Sequence, residues 1–180
     1  MKHLIYLFLA LFVLASCQKD EDTLSKSENS EEHMNALDED LLRNTIASIA
    51  ASWNTNDPSL FNSHTSVDII RNTNGKRAAN NQKEYDRTNR QPFLDAFPNF
   101  NVAITDTHIV GNIVYTNWTV SGTNIGEYRG NPPTGKDIKL HGISVWTFND
   151  DGKLMQEDAY FDRLSLFQQL GYQEVPPLTQ

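Results

Sequence analysis

The first apolar segment of the chain is a short run near its N-terminus. Residues 4–14 are eleven consecutive apolar side chains that follow Lys2 and His3. A membrane-spanning helix needs about 20 apolar residues, so this run is too short to be one. A basic start, an apolar stretch and then small residues, here Ala15 and Ser16, form the pattern of a signal peptide. The pattern predicts a targeting segment over residues 1–16.

The next apolar pattern has the period of a helix. Apolar side chains recur at spacings of four, three and four residues, at Leu42, Ile46, Ile49 and Trp53. Acidic side chains at residues 38–40 would lie in the first turn, where the helix dipole favours negative charge. The pattern predicts a helix that begins near these acidic residues.

A short helix, a strand and a longer helix follow. Asp57 is predicted to be an N-cap, with Pro58 at the first helical position. Residues 67–70 are predicted to be a strand that ends at a turn over residues 72–75. Residues 82–96 are predicted to be helical, with a proline at position 92 that can kink or divide the helix.

From residue 100 onward, β-branched and aromatic side chains dominate. The predicted strands are Asn101–Ile109, Ile113–Ser121, Ile138–Phe148 and Lys153–Phe161, and the predicted closing helix is Leu164–Leu170. Gly111-Asn112 and Asp151-Gly152 are typical of tight hairpins, and Gly171 ends the closing helix. This order of elements predicts an α+β fold with helices on one face of a curved sheet. The order is helices, a strand, a helix and then a four-stranded antiparallel meander. A sheet that curves over its helices in this way has the shape of a cone, which leaves a cavity at its open end.

Length and charge narrow the class of protein. A chain of 180 residues favours a single domain. The net charge of −8 argues against nucleic acid as a partner, because phosphate neutralisation needs a basic surface. Residues 18–40 hold nine acidic and two basic side chains, whereas residues 41–180 are close to neutral. We expect about residues 18–35 of this segment to be a disordered spacer, because they have too few apolar side chains to offset the entropy of ordering.

Cys17 is the only cysteine and comes directly after the predicted signal peptide. A single cysteine excludes a disulfide framework, a four-thiolate zinc site and a Cys-x-x-Cys redox pair. Leu14-Ala15-Ser16-Cys17 resembles the lipobox of bacterial lipoproteins, which implies that the cysteine is lipidated and attaches the protein to a membrane. An ordinary signal peptide followed by an incidental cysteine is the alternative.

The charged segment after the cysteine suggests a location. Residues 18–22, Gln-Lys-Asp-Glu-Asp, resemble the export tag of surface lipoproteins in some Gram-negative bacteria. This implies an outer-membrane lipoprotein at the cell surface, with a periplasm-facing protein and a merely solvated tether as alternatives. The expected organisation is a signal peptide over residues 1–16, a lipidated, acidic, disordered tether over 17–36, a folded domain over 37–174 and a tail over 175–180.

Four segments of the domain resemble one family when taken in order along the chain. They are residues 96–100 (Ala-Phe-Pro-Asn-Phe), the loop 126–136 that ends in Pro-Thr-Gly-Lys, the turn 146–154 with its Asp-Gly-Lys-Leu, and the closing segment 160–171. They resemble the SnoaL-like polyketide cyclase, or ester cyclase, branch of the nuclear-transport-factor-2-like (NTF2-like) superfamily. The resemblance implies an NTF2-like cone, in which a curved, mostly antiparallel sheet wraps over N-terminal helices and encloses a pocket. It also implies a homodimer formed through the open sheet face.

The resemblance implies a catalytic role for Asp162, because the matching aspartate of characterised cyclases is the general acid/base of an aldol closure. Such chemistry needs a carboxyl group beside an activated C–H in a dry pocket. Asp162 also directly precedes the closing helix, so an N-cap is the alternative.

Strand alternation places Asp158 and Tyr160 on the same face of the last strand as Asp162, with Glu157 and Phe161 on the opposite face. Tyr160 is therefore a second catalytic candidate, and Asp158 is a candidate ligand contact.

Further candidates come from neighbouring elements. His141 is a candidate for polarising a substrate oxygen, or else a histidine with a structural hydrogen bond. Trp53, Trp118 and Trp146 are candidate ligand contacts, or else core residues. Asp68, on the first strand, matches by position the base of a related isomerase branch.

Several kinds of site are not expected. His64 and Asp68 would suit a metal only on a helix, and this stretch is predicted to be a strand. The Pro-Thr-Gly-Lys at residues 133–136 lacks the glycine spacing of a P-loop, and no Gly-x-Ser-x-Gly occurs. The sequence predicts neither a metal nor a cofactor.

Three hypotheses remain open. The first is an enzyme that acts on a small carbonyl or ester compound through Asp162, assisted by His141 or Tyr160. The second is a non-catalytic module that binds a small apolar ligand. The third is a structural or dimerisation domain whose cone is filled by its own side chains, which a cavity below about 300 Å³ favours.

Overall fold

The computed structural model describes residues 37–172, which begin with two capped helices. The helices are α1 (Glu39–Asn54) and α2 (Pro58–His64). Asp38 and Asp57 are their N-caps, and each carboxylate accepts a backbone N–H of the first turn, at 2.9 and 2.8 Å. The predicted helix starts, including the proline at the first position of α2, are confirmed.

Six strands form one sheet in the order β2-β1-β6-β5-β4-β3. Their bounds are β1 Thr65–Thr73, β2 Lys76–Ala79, β3 Asn101–Val110, β4 Ile113–Thr123, β5 Asp137–Phe148 and β6 Leu154–Phe161. The pairs are antiparallel except for β1 and β6, which are parallel. The predicted meander is confirmed as β3–β6, whereas no sequence pattern predicts β2, a short strand with two charged side chains.

The helix predicted over residues 82–96 is divided. It comprises α3 (Gln82–Tyr85), a π-helical turn (Asp86–Arg90) and α4 (Gln91–Ala96). Pro92 lies in the first turn of α4, where a missing N–H costs least, so the division falls just before it. The fully buried Arg90 donates to the carboxylate of Asp86 at 2.7 Å and to the carbonyl of Ser52 at 3.2 Å. The bond to Ser52 attaches the π turn to the end of α1.

The core consists of two apolar clusters that meet on the inner face of the sheet. One joins α1 and α2 to β1, β4, β5 and β6, and the other joins α4 and α5 (Arg163–Leu170) to β4 and β5. Trp53, near the end of α1, packs against both clusters. The fold is the expected α+β arrangement, a curved and mostly antiparallel sheet with the N-terminal helices packed against it.

Several predictions concern other parts of the chain. The signal peptide, Cys17, the whole tether and the tail over residues 175–180 lie outside the described residues. Within residues 37–172, none of the helices has the length and apolar character needed to cross a membrane.

Candidate functional site

A cavity lies on the inner face of the sheet, where the two core clusters meet. Its volume is about 80 Å³, and it is called the inner chamber below. Trp53, Trp118 and Trp146 line it, and they are all three tryptophans of the chain. The other apolar lining residues are Ile49, Ala50, Phe93, Phe100, Val102, Ile104, Val120, Leu140 and Phe161. Three of the predicted ligand contacts therefore line one cavity.

The wall of the inner chamber also holds a buried ion pair. Arg71 on β1 and Glu157 on β6 are only 8 % and 4 % exposed, and the guanidinium contacts the carboxylate directly. The parallel register of the two strands places these residues opposite each other. The pairing of β1 with β6 therefore creates the charged part of the chamber.

Hydrogen bonds from neighbouring elements occupy both oxygens of the Glu157 carboxylate. Oε2 accepts the hydroxyl of Tyr85 on α3 at 2.5 Å, and Oε1 accepts the hydroxyl of Ser144 on β5 at 2.8 Å. Ser144 Oγ in turn accepts the indole N–H of Trp118 at 3.0 Å. Nη1 of Arg71 donates to the Tyr85 oxygen at 3.0 Å. The network joins the charged pair to a tryptophan of the chamber wall.

Burial and charge define the protonation of this network. Burial raises the pKa of the Tyr85 hydroxyl well above its usual range, and the charge of Glu157 acts in the same direction while Arg71 opposes it. Burial by itself lowers the pKa of Arg71, but Glu157 and Tyr85 hold that pKa above its ordinary value. At neutral pH the site therefore holds a charged guanidinium and a neutral phenol that is a hydrogen-bond donor.

A wider and more polar space adjoins the inner chamber. Its volume is about 710 Å³, and it is called the vestibule below. It shares four lining residues with the inner chamber, namely Trp53, Arg71, Phe93 and Phe161. The inner chamber alone is smaller than the roughly 300 Å³ typical of ligand sites, but the two spaces together exceed it. The cone is therefore not filled by its own side chains over the described residues.

The face of β6 that lines the inner chamber is the opposite of the predicted one. Glu157 and Phe161 line the chamber, so the predicted alternation is correct but the choice of the inward face is wrong. Asp158 lies on the outer face and accepts the side-chain amide of Asn72 at 2.7 Å. Tyr160 is 46 % exposed. Alternation alone cannot show which face of a strand lies inward, and here Glu157, Ala159 and Phe161 do.

Asp162 lies after the end of β6 and caps α5. Its carboxylate accepts the backbone N–H of Ser165 at 2.9 Å, and its side chain is exposed. It lines neither the inner chamber nor the vestibule. The geometry is that of the N-cap alternative, because the chain turns into the helix at this residue.

The two other predicted polar residues also lie away from the chamber. His141 on β5 is exposed, as are Lys139 and Ile143 on the same strand face. Asp68 on β1 is exposed and accepts the hydroxyl of Ser66 at 3.4 Å. Both residues occupy outward positions of their strands. Within residues 37–172, no group of three or more His, Cys, Asp and Glu side chains is arranged to hold a metal ion.

The sequence reasoning missed the buried polar network. Arg71 lies on the same strand face as the buried Ile69, and Glu157 on the same face as Phe161, so each charge stood at an inward position. Opposite charges at inward positions of two strands are a usable signal only if the strands are known to be neighbours. That pairing joins distant parts of the sequence, and no local pattern reveals it.

Comparison with known proteins agrees with this architecture. The model of the SnoaL-like polyketide cyclase family matches residues 44–170. AclR from Streptomyces galilaeus, a candidate hydroxylase, is 24 % identical with a TM-score of 0.64, over 72 % of this chain and 95 % of that one. TsrD from Streptomyces laurentii is 19 % identical with a TM-score of 0.67, over 75 % and 98 %.

A third solved structure has the same fold. IdmH from Streptomyces antibioticus, a candidate polyketide cyclase, is 20 % identical with a TM-score of 0.63, over 72 % of this chain and 98 % of that one. Among curated proteins, none matches this sequence significantly. At these identities the solved structures show a shared fold, whereas the family model covers most of the chain. The chain therefore belongs to the SnoaL-like polyketide cyclase family.

Proposed function

We propose that the domain binds a small, largely apolar molecule in the inner chamber and holds one of its oxygen atoms against Arg71. The observation that carries the proposal is the Arg71–Glu157 ion pair in the wall of an otherwise mostly apolar chamber. Ligand pockets of proteins typically combine an apolar lining with a few polar groups that fix the orientation of the ligand.

The energetics of the ion pair support a role in binding. A buried ion pair adds little net stability over apolar packing, because the loss of hydration offsets most of the attraction. Nε of Arg71 donates to Thr73 at 3.3 Å and Nη1 to the network, whereas Nη2 makes no hydrogen bond within the described residues. Carbonyl, ester and carboxylate oxygens are suitable acceptors for a guanidinium N–H. The ligand class is therefore an apolar molecule with one such group.

Acid/base chemistry of the cyclase or isomerase type is the second candidate function. It is favoured by membership of the cyclase family and by a carboxylate, Glu157, in the chamber wall. Ser144, Tyr85 and Arg71 already occupy the oxygens of this carboxylate, which leaves little room for a lone pair to reach a substrate proton. This geometry favours binding over proton transfer.

The intrinsic fluorescence of the protein tests the proposal, because all three tryptophans line the inner chamber. The full-length protein in mild detergent is titrated with 4-phenylbutan-2-one, with detergent alone as the blank. We expect a saturable change in emission, and Arg71→Met to weaken binding about tenfold, since a hydrogen bond to a charged group is worth about 1.5–3 kcal/mol.

The controls separate binding from folding and from chemistry. Arg71→Lys retains a charge beside Glu157, and Lys139→Met removes an exposed charge on the outer sheet face. Circular dichroism confirms that each variant is folded. No saturable change with folded protein, or equal affinity in Arg71→Met, contradicts the proposal. Mass spectrometry of the recovered ketone detects any product, which separates catalysis from binding.

We further propose that Cys17 carries a lipid that anchors the domain to the outer membrane, facing the cell surface. The proposal is supported by the lipobox-like sequence and by the acidic segment that follows it. Expression in a Gram-negative host with a labelled fatty acid tests it. We expect label and membrane association in the natural chain and neither in Cys17→Ser, and we expect added protease to reach the domain on intact cells. Label in the Cys17→Ser variant contradicts the anchor, and protection from protease contradicts surface display.

The outer face of the sheet supports a homodimer, which we also propose. Tyr115, Ile143 and Tyr160 are exposed apolar side chains on β4, β5 and β6. Ile143 lies directly opposite Tyr160 in the β5–β6 register. A second copy of the chain would bury these side chains against their equivalents.

A further inference from the structure

The vestibule carries an excess of positive charge. Besides Arg71, four cationic side chains line it, namely Lys76, Arg77, Arg129 and Arg163. Glu84 is the only carboxylate that lines it within the described residues. None of the four cations forms an ion pair with any residue of the described part. The whole chain has a net charge of −8, so this cluster is not a consequence of a generally basic protein.

The backbone around Arg129 adds an independent observation. Tyr128 and Asn131 exchange two backbone hydrogen bonds of 3.0 and 3.1 Å around a two-residue turn. Arg129 and Gly130 occupy the central positions with φ of 52° and 80°, a turn that normally selects Asn-Gly. Arginine is disfavoured at positive φ. The turn therefore presents a guanidinium at a position where the backbone alone would favour a smaller residue.

Two of these arginines, Arg129 and Arg163, influence each other. The guanidinium of Arg129 lies over the ring of Tyr128, 5.7 Å from its centroid. Burial and the positive charge of Arg129 lower the pKa of Arg163, at the start of α5. Two close guanidinium groups without a counter-charge repel each other, and an anion between them relieves the repulsion.

We infer that the vestibule binds the anionic head group, a carboxylate or a phosphate monoester, of an amphipathic ligand whose apolar body lies in the inner chamber. The inference rests on the proposed function, because it assigns the part of the ligand that projects from the chamber. Trp53, Phe93 and Phe161 line both spaces, so they provide a continuous apolar path between them. Guanidinium groups match carboxylate and phosphate through paired hydrogen bonds.

Three probes that share a phenylbutyl body and differ in the head group test the inference. They are 4-phenylbutan-1-ol, 5-phenylpentanoate and 4-phenylbutyl phosphate, titrated into the full-length protein in a neutral detergent, with tryptophan emission as the readout. We expect both anions to bind at least tenfold more tightly than the alcohol at low salt. We also expect this advantage to shrink in about 0.5 M salt, because salt screens exposed charges. The tighter of the two anions identifies the head group.

A pair of double variants locates the effect. Arg129→Gln with Arg163→Gln should remove the advantage of the anions and leave the affinity for the alcohol within twofold. Arg43→Gln with Lys139→Gln makes the same change in net charge at two positions outside the vestibule and should retain the advantage.

The outcomes separate this inference from the proposed function. Equal affinity for the alcohol and the anions overturns the inference and leaves binding in the inner chamber intact. An anion advantage that survives in the vestibule double variant, or is lost equally in the control, also overturns it. Failure of all three probes to bind to folded protein contradicts the proposed function and the inference together.

Discussion

Glu157 is almost fully buried and accepts hydrogen bonds on both carboxylate oxygens, and within residues 37–172 Arg71 is the one residue that forms an ion pair with it. Glu157→Gln leaves the guanidinium buried without a counter-charge. We expect this variant to lose about 3–5 kcal/mol of unfolding free energy, the usual cost of breaking a buried pair. Replacing both partners, as Arg71→Met with Glu157→Leu, should recover at least half of the loss. Urea unfolding followed by circular dichroism measures both.

An exposed charge is the control for this experiment. Lys139→Gln, on the outer face of β5, should change the unfolding free energy by less than about 0.5 kcal/mol. If Glu157→Gln costs no more than this control, the ion pair is not the buried contact described above.

Tyr85 predicts a pH dependence of stability in the alkaline range. Burial raises its pKa well above the ordinary value of 10.0, so the folded state holds the phenolic proton more tightly than the unfolded state. The stability gained in this way is complete below about pH 10 and is lost as the pH rises through the folded-state pKa. The urea concentration at the midpoint of unfolding should therefore fall less steeply with rising pH above 10 in Tyr85→Phe than in the natural protein. Identical slopes in Tyr85→Phe and the natural protein would contradict the assignment.

At the scale of the element, Asp162 is the N-cap of α5, and its carboxylate accepts a backbone N–H of the first turn. Asp162→Ala should cost about 1 kcal/mol of unfolding free energy, whereas Asp162→Asn, which also caps helices well, should cost little. Both variants should bind chamber ligands with unchanged affinity. Fluorescence titration and urea unfolding check these expectations. A large loss of binding or turnover in the folded Asp162→Asn protein would instead assign Asp162 to the functional site.

The local elements were predictable because their signals are local. The helical period of α1, the Asp57-Pro58 start of α2 and the alternation of β3–β6 each lie within a few residues. The π turn before α4 was not predictable, because the buried contacts of Arg90 with α1 stabilise it. The inward face of β6 depends on β1, and a shift of one position exchanges Glu157 for Asp158 as the inward carboxylate.

At the scale of the whole molecule, the family resemblance predicted the cone, and the three chamber tryptophans were among the predicted contacts. The chamber's polar wall needs β1 and β6 side by side in parallel, with Arg71 opposite Glu157. Charges that are distant in the sequence meet only through this topology. The sequence therefore identified the three tryptophans that line the inner chamber and missed the charged residues in its wall.

The proposed dimer is testable at this scale. Ile143→Lys adds a positive charge to both sides of a two-fold interface, because such a contact uses the same surface patch of each subunit. We expect the natural protein to sediment as a dimer in detergent and the variant as a monomer with unchanged circular dichroism. Lys139→Gln, on the same strand, should leave the dimer intact. A natural protein that is monomeric at all concentrations would contradict the dimer.

The most direct test of the central claim is an ¹⁵N–¹H spectrum of the full-length protein in detergent, with and without 4-phenylbutan-2-one. The indole N–H groups of Trp53, Trp118 and Trp146 report on the chamber, and Trp118 donates to Ser144 beside Glu157. We predict that the Trp118 indole signal shifts in a saturable way while the backbone amides of His141 and Asp162 do not. Shifts confined to His141, Asp162 or other outer positions, with all three indole signals unchanged, would contradict a ligand site in the inner chamber.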